Sequence, residues 1–148
     1  MPDKETLEHA QEDKAEGKSL STQAGEFVRE EMEHVREGKH GARSTKQAIA
    51  IGLSKARRAG VELPPPKKGK TSARTRRQAL RDLRKGRAGA RRVSATRSRA
   101  VRRALKREGH RAATKKALSR QAHAAAERRS KAARSRSAKR AAATRKKM

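Results

Sequence analysis

The chain has 148 residues, with 43 Lys plus Arg against 15 Asp plus Glu, a formal net charge of +28 and a pI near 11.8. It holds no Cys, Trp or Tyr and a single Phe, and hydrophobic residues make up 32% and charged residues 39%, against about 45–50% and ~25% in globular domains. These values exclude one core across the whole length, a bilayer span of roughly 18 apolar residues, and disulfide, thiolate or Cys-based zinc chemistry.

The charge is unevenly placed. Residues 1–37 carry 11 acids and 5 bases, while residues 38–148 carry 4 acids (Glu62, Asp82, Glu108, Glu127) and 38 bases. The sign changes near Gly38-Lys39-His40-Gly41. An acidic arm on a basic chain either folds back and competes with a polyanion or raises solubility.

In chain order, Met1–Lys18 is polar, with one Leu and no sustained apolar face. It reads as disordered or weakly helical, and its acidic Met1–Glu12 start does not resemble a secretory signal. Ser19–Thr22 supplies helix-starting hydroxyls. Ala24, Phe27, Val28, Met32 and Val35 then fall on one helical face. Glu26, Arg29, Glu30 and Glu33 fall on the opposite, solvated one, and Gly38 and Gly41 end the helix. Phe27 is expected to anchor a small core.

Ser44-Thr45-Lys46-Gln47 has the pattern of a capping box. It opens a capped helix over Ser44–Ala59, with Lys55, Arg57 and Arg58 in the last turn and Gly60 as the stop. This helix and the preceding one predict a hairpin joined by Gly38–Arg43. Leu63-Pro64-Pro65-Pro66 must be extended. Thr71 or Ser72 caps a third helix running to about Lys85, with Leu80 and Leu83 as its apolar side.

Residues 87–148 hold 18 Ala, 23 Lys plus Arg and 2 Glu. Helix propensity is high, but like charges oppose it, so partial disorder or loose helix is expected in the absence of phosphate. Val93, Thr96, Ala100, Val101, Ala104 and Leu105 suggest one helix ending near Gly109. A second, long helix is expected from Ala112 to about Lys147. The expected organisation is therefore mostly α. It comprises an acidic arm (1–20), a small helical module (21–85) and a polycationic arm (86–148).

The residues expected to carry function are cations, and their partner is expected to be a polyanion. Duplex DNA presents a charge every ~1.7 Å, and the arginine fork suits phosphate. The candidate contacts are Arg91, Arg92, Arg102, Arg103, Lys106, Arg107, Lys115, Lys116, Arg128, Arg129, Arg134, Arg136, Lys139 and Arg140. As doublets on several helical faces, they suit wrapping along a backbone. Base reading by Lys46, Gln47, Ser54, Lys55, Arg57 and Arg58 is the less favoured role of the capped helix, whose cations read as a solvated face. Stacking on single strands needs aromatics that the chain lacks.

Catalysis has no basis in the pattern. Glu30-Glu31 sits on a face expected to be exposed, with no pocket to shift a pKa, and no Gly-rich nucleotide loop occurs. Glu30 and His34 lie one turn apart with His40 close by. The chain has no His-Glu-x-x-His motif and no Cys set, so neither metal nor cofactor is assigned. A membrane-surface helix would need large apolar residues opposite its cations, where the arm offers Ala.

The run from Ser44 to Gly60, STKQAIAIGLSKARRAG, together with the Pro- and Lys-rich step Pro64–Lys70, resembles a small bacterial family. Its members are described as basic DNA-binding proteins or as a domain of unknown function. Arg103–Gly109 and Ala117–Arg129 are similar to later parts of longer members, and the Ala/Arg/Lys arm is similar in composition to bacterial histone H1-like proteins. The resemblance implies a cytoplasmic, nucleoid-associated role without a catalytic site. The reading is a non-enzymatic binder of double-stranded DNA that compacts or protects it. RNA or ribosome association is the first alternative. The second is a protein-interaction module at 21–85 with a localising basic tail.

Overall fold

The computed structural model describes residues 1–89 and 94–146, which divide into two compact units, Met1–Thr114 and Lys115–Met148. In the first unit, α1 spans Lys4–Ala15, α2 Leu20–Arg36, α3 Thr45–Arg58, α4 Ala73–Arg87 and α5 Ala95–Lys106, followed by a 3-10 turn at Arg111–Ala113. In the second, α6 spans Lys115–Glu127 and α7 Lys131–Arg145. Among the described residues there is no strand, only an isolated bridge between Lys68 and Thr71. No helix among them is long and apolar enough to cross a membrane.

Local chemistry sets the helix ends. The Ser19, Ser44 and Ser72 side chains accept from the backbone N–H three residues on, satisfying groups that a helix start leaves open. Gln47 completes the α3 start by accepting from the N–H of Arg43 at 2.8 Å, one residue before the N-cap. At the α3 end, Gly60 N–H donates to Arg57 O and Val61 N–H to Ala56 O, the paired bonds of a Schellman stop.

The hairpin of α2 and α3 is the centre of the first unit. Ala24, Phe27, Ala56 and Val61 form the buried cluster, with Leu53 and Leu63 against it. Phe27 is only 1% exposed, as expected of the chain's one aromatic anchor. The acidic arm adds to this core: Leu7 and Ala10 of α1 pack on it. A segment read as disordered or weakly helical thus carries a docked helix, held by two apolar side chains too sparse to stand out as a periodic face.

Gly52 explains how closely α3 approaches α2. A Cβ there would lie 2.7 Å from Val28 Cα and 3.0 Å from Phe27 O. In an isolated helix Gly→Ala gains about 1 kcal/mol, whereas forcing packed backbones apart costs about 1–3 kcal/mol. Gly52→Ala is therefore expected to lower stability by up to about 2 kcal/mol. Urea unfolding followed by far-ultraviolet circular dichroism checks the sign, since propensity alone predicts a gain.

Two features of the hairpin differ from the sequence expectation. Glu30 and Glu31 are buried, not on an exposed face: Glu31 is 0% exposed. Lys55 Nζ stands 3.0 Å from Glu30 Oε1 and 2.7 Å from Glu31 Oε2. Burial pulls the Lys55 ammonium down, but Glu31 and then Glu30 outweigh it and hold the group above its usual value. The other difference is on α3, whose Ser54, Lys55 and Arg57 are packing groups and not a solvated face. The Ser54 hydroxyl donates to Asp82 Oδ2 at 2.8 Å. Arg57 donates to the carbonyls of Leu63 at 3.1 Å and Pro64 at 3.3 Å, which fixes the extended proline step. Burial lowers the Arg57 pKa, against the attraction of Asp82.

The end of α5 is attached to the α2–α3 loop. Gly41 N–H donates to Leu105 O at 2.9 Å and Ala42 N–H to Gly109 O at 3.0 Å. A Cβ on Gly41 would lie 1.9 Å from Glu108 O, so only glycine allows this approach. Downstream, Thr45 Oγ1 donates to Ala112 O at 2.6 Å and Arg36 Nε to Ala113 O at 2.9 Å. Both alanines are buried.

The described residues of the basic arm are helical rather than disordered, as their Ala, Arg and Lys content favours. The single helix expected from Ala112 is broken instead. The 3-10 turn ends at Ala113, and α6 stops at Glu127 before Ser130 accepts from Ala133 N–H and starts α7.

Candidate nucleic-acid interface

On α5 the cations converge. At 100° per residue, Arg99, Arg102, Arg103, Lys106 and Arg107 fall within one side of the helix. They line one open, shallow hollow, and all five are exposed. The doublets Arg102-Arg103 and Lys106-Arg107 therefore share a face and are not spread around the axis. The nearest acid in sequence, Glu108, is half-buried and lends its carbonyl to the Gly41 approach.

Helix α4 offers a second basic stripe that the sequence reading left out. Arg74, Arg77, Arg81, Arg84 and Lys85 share the face opposite buried Ala79 and Asp82, and all are exposed. Asp82 fixes this orientation. It accepts from Ser54 and from Gln78 Nε2 at 3.1 and 3.2 Å, with Arg58 Nε at 3.8 Å. The spacing of the arginines, three or four residues apart, was the available signal. It was read only for Leu80 and Leu83, which are half-buried.

The second unit carries its cations differently. Lys115 and Lys116 are exposed at the start of α6. Arg134, Arg136, Lys139 and Arg140 are exposed on α7, whose charges face several directions. Arg128 and Arg129 are both exposed between the helices, and Arg129 donates to Ala133 O at 3.3 Å and to Ser137 Oγ. Arg91 and Arg92 lie outside the described residues.

Arginine keeps its charge at any working pH. The geometry therefore supplies fixed positive charge with planar hydrogen-bond donors on α4, α5 and α7, suited to phosphate oxygens.

No curated protein and no solved structure matches the chain. A family of unknown function, DUF6496, matches residues 13–68, a span that contains the α2–α3 hairpin, the Ser44–Gly60 run and the proline step but not the cationic faces of α4 and α5.

Proposed function

We propose that this protein is a non-enzymatic binder of double-stranded DNA that engages the phosphate backbone with little sequence preference, in a cytoplasmic nucleoid where it compacts or protects DNA. The observation that carries this reading is the α5 face, five exposed cations around one hollow in a chain of net charge +28. Phosphate contacts position a protein on a duplex without reading bases. The one-sided α5 cluster suits a fixed approach to one backbone strand, and the α7 cations, facing several ways, suit a duplex followed along its length.

Salt dependence tests this directly. Engagement of ~6–10 phosphates makes affinity fall by about 10³–10⁵ between 50 and 200 mM salt. The expected result is that steep slope on random duplexes of unrelated sequence, with weaker binding to duplex RNA at matched salt. A shallow slope refutes the backbone reading, and a preference for RNA moves the function to RNA or the ribosome.

A further inference from the structure

The geometry points to a metal site of the zinc class between α2 and the α2–α3 loop, formed by Glu31, His34 and His40. One donor atom from each of these three residues lies within 4.8 Å of the others.

Proton positions on the two imidazoles set which ring nitrogens can ligate. His40 Nδ1 lies 3.2 Å from Gly41 O. A carbonyl only accepts, so Nδ1 carries the hydrogen, and whenever the ring is neutral its lone pair is at Nε2. That lone pair faces Glu31 Oε1 at 3.3 Å. Two acceptors thus confront each other. Glu31 Oε1 is buried and receives no hydrogen bond, on a side chain that is 0% exposed. An uncompensated buried carboxylate oxygen is costly. A cation bound by both atoms removes that cost. For bonds of ~2.0–2.1 Å, tetrahedral geometry places neighbouring donors about 3.3–3.4 Å apart, which is the His40–Glu31 separation, and the His34 donor lies within 4.8 Å of both.

The third ligand is oriented in the manner of metal-binding histidines. His34 Nε2–H donates to Asp3 Oδ2 at 3.0 Å. A carboxylate on one ring nitrogen fixes the tautomer and leaves the other nitrogen free to ligate. Glu30 is already committed, through Oε1 to Lys55 and through Oε2 to the Asp3 N–H at 3.2 Å. With neutral imidazoles, the carboxylates of Asp3, Glu30 and Glu31 outnumber the Lys55 ammonium by two charges, which a divalent ion balances. Two imidazole nitrogens and one carboxylate oxygen, with a fourth position open to water, suit Zn²⁺ better than Mg²⁺ or Ca²⁺. The imidazoles are 12% and 17% exposed, which gives the ion an entry path. Bound there, the ion ties α1, α2 and the loop together in a unit with a small core, where a structural metal contributes most.

The test is calorimetric titration of the full chain with Zn²⁺ alone. One stoichiometric site is expected. His34→Gln and His40→Gln should each weaken it by at least ~100-fold, and Asp3→Asn by ~10–100-fold, as for outer-shell partners. His123→Gln should leave it unchanged. X-ray absorption on the wild-type zinc complex is independent of whether the variants fold, and should report two imidazoles. Absence of stoichiometric binding overturns the proposal. So does unchanged affinity in both His34→Gln and His40→Gln, or a zinc shell with fewer than two imidazoles. The first result would mean that protons, not a metal, resolve the contact at Glu31.

Discussion

Replacing Lys55 with Met should lower the stability of the first unit by about 3–5 kcal/mol. The ammonium touches both buried carboxylates, Glu30 and Glu31, and Lys55→Met leaves the pair without its ammonium. Breaking a buried pair by removing one partner costs about 3–5 kcal/mol. A whole domain is stable by only about 5–15 kcal/mol, and the apolar cluster here is one Phe, one Val and several Ala with peripheral Leu. Adding Glu30→Gln and Glu31→Gln to Lys55→Met should restore most of the loss, because a neutral polar set no longer strands charge. Urea unfolding of the single and triple variants decides the matter. A single variant as stable as wild type would mean that water reaches the carboxylates and that they are not buried in solution.

The other large effect is expected on the α5 face. Changing Arg99→Gln, Arg102→Gln, Arg103→Gln, Lys106→Gln and Arg107→Gln together removes five exposed charges from one hollow. Each lost phosphate contact reduces the slope of log affinity on log salt by ~0.9, so the slope should become shallower by about 4–5 and affinity at ~0.1 M salt should fall by roughly 10²–10⁴. None of these side chains is buried, so the fold should persist. Arg134→Gln, Arg136→Gln, Lys139→Gln and Arg140→Gln on α7 are the comparison, because Arg134 lies on the side of the helix away from the other three. Fluorescence anisotropy with a labelled random duplex measures both. A smaller loss per charge on α7 is expected. An equal loss would show that net charge alone governs binding and that the α5 arrangement is incidental.

What could be read from the sequence was local. The caps at Ser19, Ser44 and Ser72, the stops at Gly38 and Gly60, and the single anchor Phe27 need only neighbouring residues, and the structure has each of them. Features that depend on distant residues were not legible. Glu30 and Glu31 read as solvated because their partner, Lys55, lies about 25 residues away. The docked α1 rests on Leu7 and Ala10, and the docked turn rests on Ala112 and Ala113. Such residues are too small or too few to form a pattern. At the candidate interface, residue type identified the cations, but only their angular positions separate the converging face of α5 from the dispersed charges of α7. The α4 stripe obeys the same geometry, but the apolar signal of that helix comes from Leu80 and Leu83 and says nothing of where its arginines point.

The backbone bonds from Gly41 and Ala42 to Leu105 and Gly109 also set the order in which the chain assembles. The hairpin closes through neighbours in sequence, whereas this junction joins positions separated by more than sixty residues. Closing a loop of that length costs about 3–4 kcal/mol of chain entropy, set against bonds that each contribute about 0.5–1.5 kcal/mol and two buried alanines. The junction therefore forms late in folding and opens before the hairpin does. The cationic helix behaves as a latch that releases without melting the core, lengthening the chain's reach while its charge is unchanged.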